Sequence, residues 1–102
     1  MPSLHTLNKS PTGAPLLQRC LRLAQPGSAI VLIEDAVYAA IEGTASADLL
    51  RDASTRFDIY ALSPDLMARG LADKKLIDGI MAIDDAGFVE LVVRHERVIN
   101  WY

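Results

Sequence analysis

The chain holds a single cysteine, Cys20, in 102 residues. One sulfur cannot supply the four Cys/His ligands of a structural zinc site, nor close an intrachain disulfide. What remains for Cys20 is an inert core thiol, a reactive thiol, or a bond to another chain. Positive charge is also short: ten Lys and Arg stand against thirteen Asp and Glu, for a formal net charge of -3. The basic residues are scattered, and because phosphate binding relies on clustered Lys and Arg, no direct grip on nucleic acid is expected. No apolar run nears the roughly twenty residues of a membrane span, and no charged-then-apolar leader with a cleavage site is seen. The expectation is therefore a cytoplasmic, reducing location, with no membrane insertion and with Cys20 kept as a thiol. Neither a G-x-G-x-x-G nor a Walker pattern occurs, which argues against a dinucleotide or ATP site.

What the chain has in quantity is apolar surface. Hydrophobic residues make up 51% and charged residues 23%, more apolar than the interior of so small a sphere needs. Part of that surface is expected to be buried against other subunits. The length predicts one domain spanning residues 1–102.

Short apolar runs alternate with helical patterns. Ser3 to Leu7 reads as a strand, followed by a turn-rich loop from Asn8 to Pro15 and a helix to about Gln25, stopped by Pro26-Gly27. Ala29-Ile30-Val31-Leu32-Ile33 is a continuous run of the kind found in strands covered on both faces. Asp35 is placed to cap a helix over Ala36 to Glu42, with Gly43 past its end, and Ala47 to Ala53 makes a further helical piece. Phe57 to Leu62 reads as a strand, Pro64 sits just inside a helix ending at Gly70, and Ile80 to Ile83 is a fourth strand. Asp84 or Asp85 caps a helix to about Glu96, and Val98 to Trp101 is the fifth strand. The alternation predicts an open, mostly parallel α/β sheet flanked by helices.

Ligands of such sheets collect outside the carboxyl ends of the strands. Those ends carry Asn8 to Gly13, Glu34-Asp35, Ser63 to Asp65 and Asp84-Asp85. The carboxylates suit a hard metal or acid/base work, but Asp35, Asp65 and Asp84 or Asp85 also fall where helix caps belong, and capping is the preferred reading. His5 lies mid-strand, where a hydrogen-bonded structural histidine is favoured over a catalytic base. His95, in a last helical turn beside Arg94 and Arg97, suits the negative end of the helix dipole. Lys74-Lys75 reads as a solvated loop.

At about 100° per residue, Leu16, Leu17, Cys20, Leu21, Leu23 and Ala24 share one apolar arc, opposite Gln18, Arg19, Arg22 and Gln25. That placement favours Cys20 as a small buried hydrophobe. Against it, the arc of so apolar a subunit could face a neighbouring chain, and Arg19 and Arg22 could stabilise a thiolate.

Leu4-His5-Thr6-Leu7 followed by Ser10-Pro11, then Asp35-Ala36-Val37-Tyr38-Ala39-Ala40, then Tyr60-Ala61-Leu62 with Asp65 and Ala68-Arg69-Gly70, then Gly87-Phe88-Val89 and Trp101, form an ordered set across nearly the whole chain. In this the sequence resembles the TusB/DsrH family. Ala36 stands where that family often has glycine, a mild change at a helix start. The resemblance implies a small three-layer α/β subunit of a cytoplasmic heterohexamer with TusC/DsrF-like and TusD/DsrE-like partners. Such a complex relays sulfur as a cysteine persulfide to a downstream acceptor protein, for 2-thiolation of the tRNA wobble uridine or for dissimilatory sulfur oxidation.

The resemblance places the main sulfur-carrying cysteine in the TusD/DsrE-like partner, so whether this subunit is itself catalytic stays open. Cys20 matches a cysteine associated with the DsrH branch and is the one candidate sulfur carrier here. A thiolate would take the outer sulfur of a donor persulfide and yield it to an acceptor thiol, a relay that calls for no metal and no organic cofactor. The alternative is a noncatalytic architectural subunit that completes the complex and positions its partners, with apolar helix faces and the Ile99-Trp101-Tyr102 tail as interface candidates. Trp101 packed in the chain's own core is the competing reading of that tail.

Overall fold

Five parallel strands form one sheet in the order β4-β3-β2-β1-β5. The structure, a computed structural model, describes residues 2–10 and 16–101. Pro11 of the Ser10-Pro11 match, the rest of the expected first loop through Pro15, and Tyr102 of the tail lie outside the described residues.

The strands are β1 (Leu4–Leu7), β2 (Ala29–Leu32), β3 (Asp58–Leu62), β4 (Ile80–Ile83) and β5 (Val98–Trp101), and the α-helices are α1 (Leu16–Leu23), α2 (Ala47–Ala53), α3 (Ser63–Ala68) and α4 (Asp85–Arg94). All four residues of β2 are buried, as its unbroken apolar run predicts for a strand covered on both faces, and all four of β1 are buried too, His5 and Thr6 included. Small boundary differences appear: α1 stops at Leu23, before the expected Gln25, and β2 ends at Leu32. Ile33 still donates its N–H to Leu7 O at 2.9 Å.

The strand order explains which helix lies where. From β1 to β4 the chain steps one way across the sheet, and right-handed crossovers put every connection on the same face. The step from β4 to β5 runs the opposite way, which sends α4 to the other face. The packing agrees. Leu17, Cys20 and Leu21 of α1, Leu50 of α2 and Leu66 of α3 share one core with Leu7, Ile30, Leu32 and Ile59. Leu91 of α4 packs separately with Leu4, Ala29 and Val31, flanked by Tyr60, Ile83 and Phe88. Side chains alternate along each strand, so His5 and Leu7 face the larger core while Leu4 and Thr6 face α4. Each fully buried leucine or isoleucine contributes about 2 kcal/mol, so the larger core carries most of the stability.

The expected helix over Ala36 to Glu42 is instead a 3₁₀ helix, Glu34–Ala40. A 3₁₀ helix stacks residues three apart. Ala36 over Ala39 and Val37 over Ala40 are the buried pairs, while Asp35 and Tyr38 point outward. The apolar pattern of this segment thus repeats every three residues, a period that α-helical reading passes over.

Candidate functional site

Because all strands run parallel, the residues following their carboxyl ends gather along one rim of the sheet. The structure brings together Glu34, Asp35, Asp65 and Arg69 there. Asp65 Oδ2 accepts from the Glu34 N–H at 2.6 Å, serving the first turn of the 3₁₀ helix rather than its own helix. Glu34 has φ +50, a left-handed conformation that costs a non-glycine residue energy and is held here by that bond. Arg69 donates through Nε to Asp35 Oδ1 at 3.0 Å, and its Nη2 also lies 3.0 Å from that oxygen. Its Nη1 reaches Asp65 O at 3.3 Å and lies 3.8 Å from Asp65 Oδ1.

Two of the expected caps are therefore corrected. Asp35 caps nothing: the 3₁₀ helix begins after Ile33 with no side-chain cap, so Asp35 already lies within its first turn, where its carboxylate accepts from Arg69. Asp65 caps a neighbouring element. Asp84 is the true helix cap, with Oδ1 accepting from Gly87 N–H at 2.7 Å. Among the described residues no three His, Cys, Asp or Glu side chains form a group able to hold a metal ion. Along this rim the carboxylates thus serve turns, caps and an ion-pair clamp. Asn8 Oδ1, just beyond β1, is buried and has no hydrogen-bond partner among the described residues.

Sequence reading missed Arg69 as the centre of this clamp. Its signal was the spacing of Asp65 and Arg69, one helical turn apart on α3. The partnership with Asp35 spans 34 positions and leaves no local trace.

Cys20 sits in the middle of α1 with 0% exposure, packed in the larger core. Burial pushes its thiol up to about 12 from an ordinary 9.0. Arg19 and Arg22 are exposed on the opposite side of the helix and supply no offsetting stabilisation of a thiolate. In this isolated chain Cys20 is a neutral thiol without access to solvent, the arrangement of an inert cysteine.

His5 is 4% exposed and accepts from Trp101 Nε1 at 3.0 Å through Nδ1. It is a structural, hydrogen-bonded histidine. Trp101 is half-buried against the larger core, so the chain's own interior takes up much of that part of the tail. His95 caps the end of α4, its Nδ1 lying 2.8 Å from Leu91 O.

Apolar side chains remain uncovered elsewhere. Val89 is 58% and Val93 78% exposed on α4, and Met81 on the edge strand β4 is 65% exposed. Among the described residues no helix is long and apolar enough to cross a membrane.

The architecture defines a small all-parallel α/β domain of a known fold. The ychN protein from E. coli superposes with a TM-score of 0.83 at 20% identity, covering 98% of this chain and 99% of that one. A protein of unknown function from Methanobacterium thermoautotrophicum does so with a TM-score of 0.75 at 15% identity, covering 96% of each chain. The family of DsrH like proteins matches residues 9–98. The Protein TusB of Shigella sonnei is 39% identical over 98 residues, spanning 96% of this chain and 99% of that protein. Its counterpart in Escherichia coli O81 is 38% identical over the same shares. The chain belongs to the TusB/DsrH family.

Proposed function

We propose that this chain is an architectural subunit of a cytoplasmic sulfur-relay complex. In this reading it completes a heterohexamer with TusC/DsrF-like and TusD/DsrE-like subunits and positions the partner cysteine that carries sulfur as a persulfide. Family membership supports the relay. The observation that carries the architectural role is the enclosure of Cys20: persulfide exchange needs an accessible thiolate, and this thiol is buried at 0% exposure and pushed up to about 12. The exposed Val89, Val93 and Met81 supply apolar surface of the kind a subunit interface covers. The family's two branches give two destinations for the sulfur, the tRNA wobble uridine or dissimilatory sulfur oxidation.

Reconstitution with both partners tests the role. A Cys20→Ala subunit that assembles normally and supports undiminished sulfur flux is the expected result. Lost flux with normal assembly, or a one-sulfur mass increase on Cys20 after incubation of the assembled complex with a persulfide donor, overturns it and makes Cys20 a carrier. Activity toward tRNA against activity with a sulfur-oxidation acceptor separates the two branches.

A further inference from the structure

The last strand is fastened to the first by two side-chain contacts. Thr6 Oγ1 donates to Asn100 Oδ1 at 2.6 Å, and Trp101 Nε1 donates to His5 Nδ1 at 3.0 Å. Among the described residues β5 is an edge strand with β1 as its one strand neighbour, so its hold on the sheet rests on one backbone ladder, these contacts and the packing of Trp101 against the larger core. An indole N–H only donates. The contact therefore demands a lone pair on His5 Nδ1, which fixes the ring as the neutral tautomer with its proton on Nε2. A second proton has only Nδ1 to occupy. There it would point at the Trp101 N–H, and a hydrogen bond would become two donors facing each other.

We propose that His5 and Trp101 form a proton-operated latch: neutral His5 holds the edge strand β5 against β1, and protonation at Nδ1 opens the latch and loosens that strand.

The surroundings of His5 favour the closed state at neutral pH. β2 presents Ile30 directly across from it. The side of α1 packed on this face brings Leu17, Leu21 and the neutral Cys20 thiol, while Arg19 and Arg22 point to solvent. From the head of β5, Arg97 opposes a second positive charge. Burial first and Arg97 second hold His5 below its usual 6.5. A histidine lowered in the folded state stabilises the fold fully above its unfolded value, and that contribution is lost as pH falls through the folded value. The latch is thus shut at neutral pH and opens in mild acid. Opening bares the backbone groups of β1 that now pair with β5, a free parallel edge.

The test uses the full chain and its single tryptophan. Amide hydrogen exchange, expressed as protection factors so that the intrinsic pH dependence cancels, is followed from neutral to mildly acidic pH alongside the imidazole nitrogen shifts of His5. Protection in Val98–Trp101 is expected to fall roughly tenfold as His5 titrates, the scale of one lost hydrogen bond, while β2 and β3 keep theirs. Trp101 fluorescence should change with the same midpoint. His5→Asn places an amide oxygen near the Nδ1 position without a titrating group, so its β5 protection should not step with pH. β5 protection that stays flat through the His5 titration, or an equal loss in His5→Asn, overturns the latch. If His5→Asn does not fold, the coincidence or separation of the two midpoints in the natural chain decides alone.

Discussion

Arg69 on α3 and Asp35 on the 3₁₀ helix, 34 positions apart, meet with two guanidinium nitrogens 3.0 Å from one carboxylate oxygen. The arginine also leans on Asp65 of its own helix, and Asp65 in turn holds the strained Glu34. One side chain thereby joins the connections that follow β2 and β3.

Arg69→Ala should lower stability by about 1 kcal/mol in urea denaturation, the upper end for a partly exposed ion pair. The Asp35 side chain is 63% exposed, so solvent takes up much of the loss. Arg69→Lys should recover only part, because an ammonium cannot reproduce the planar fork. A loss that does not shrink at high salt would contradict an ionic origin.

Cys20 gives a prediction with a definite sign in pH. Its thiol titrates near 9.0 when unfolded and at about 12 in the fold. A raised folded value stabilises the fold fully below the unfolded value, and that contribution is lost as pH climbs from 9.0 toward about 12. Natural and Cys20→Ala chains should therefore diverge in stability below pH 9.0 and converge in strong alkali. Alkylation at neutral pH should be negligible in the folded chain and rapid after denaturation.

Gly79 has φ +98, and a Cβ there would lie 2.5 Å from Ser54 Oγ and 2.7 Å from Ser54 Cβ. Gly79→Ala should cost about 2–3 kcal/mol, combining the backbone penalty with the clash. Adding Ser54→Gly should return the clash share and leave the backbone share, measurable as non-additivity in a double-mutant cycle.

Trp101→Phe should lower stability by about 1–2 kcal/mol, since it leaves His5 Nδ1 buried without its donor. Thermal or urea unfolding of the two chains compares them directly.

The sheet was legible because β2 is an unbroken apolar run, and because strand and helix patterns alternate from Leu4 to Trp101. Asp84 was also legible as a cap, since its partner Gly87 lies three residues on. The 3₁₀ helix was missed because capping by Asp35 and an α-helical period were assumed, although Ala36-Val37 and Ala39-Ala40 repeat at three. The Asp35–Arg69 clamp and the Trp101–His5 bond were hidden for another reason. Each joins side chains distant in sequence, and their meeting depends on the strand order, which hydrophobic pattern does not encode. The apolar arc of the first helix pointed correctly to burial of Cys20.

The position of β5 beside β1 also governs when the fold can be finished. During synthesis β1 emerges well before β5, its outer neighbour, so one flank of β1 stands unpaired until Val98–Trp101 have followed it. Such a nascent edge is a template for unwanted pairing. Chains interrupted before Val98 should accumulate as aggregates or require chaperones, even though α1 to α4 and β1 to β4 are already present.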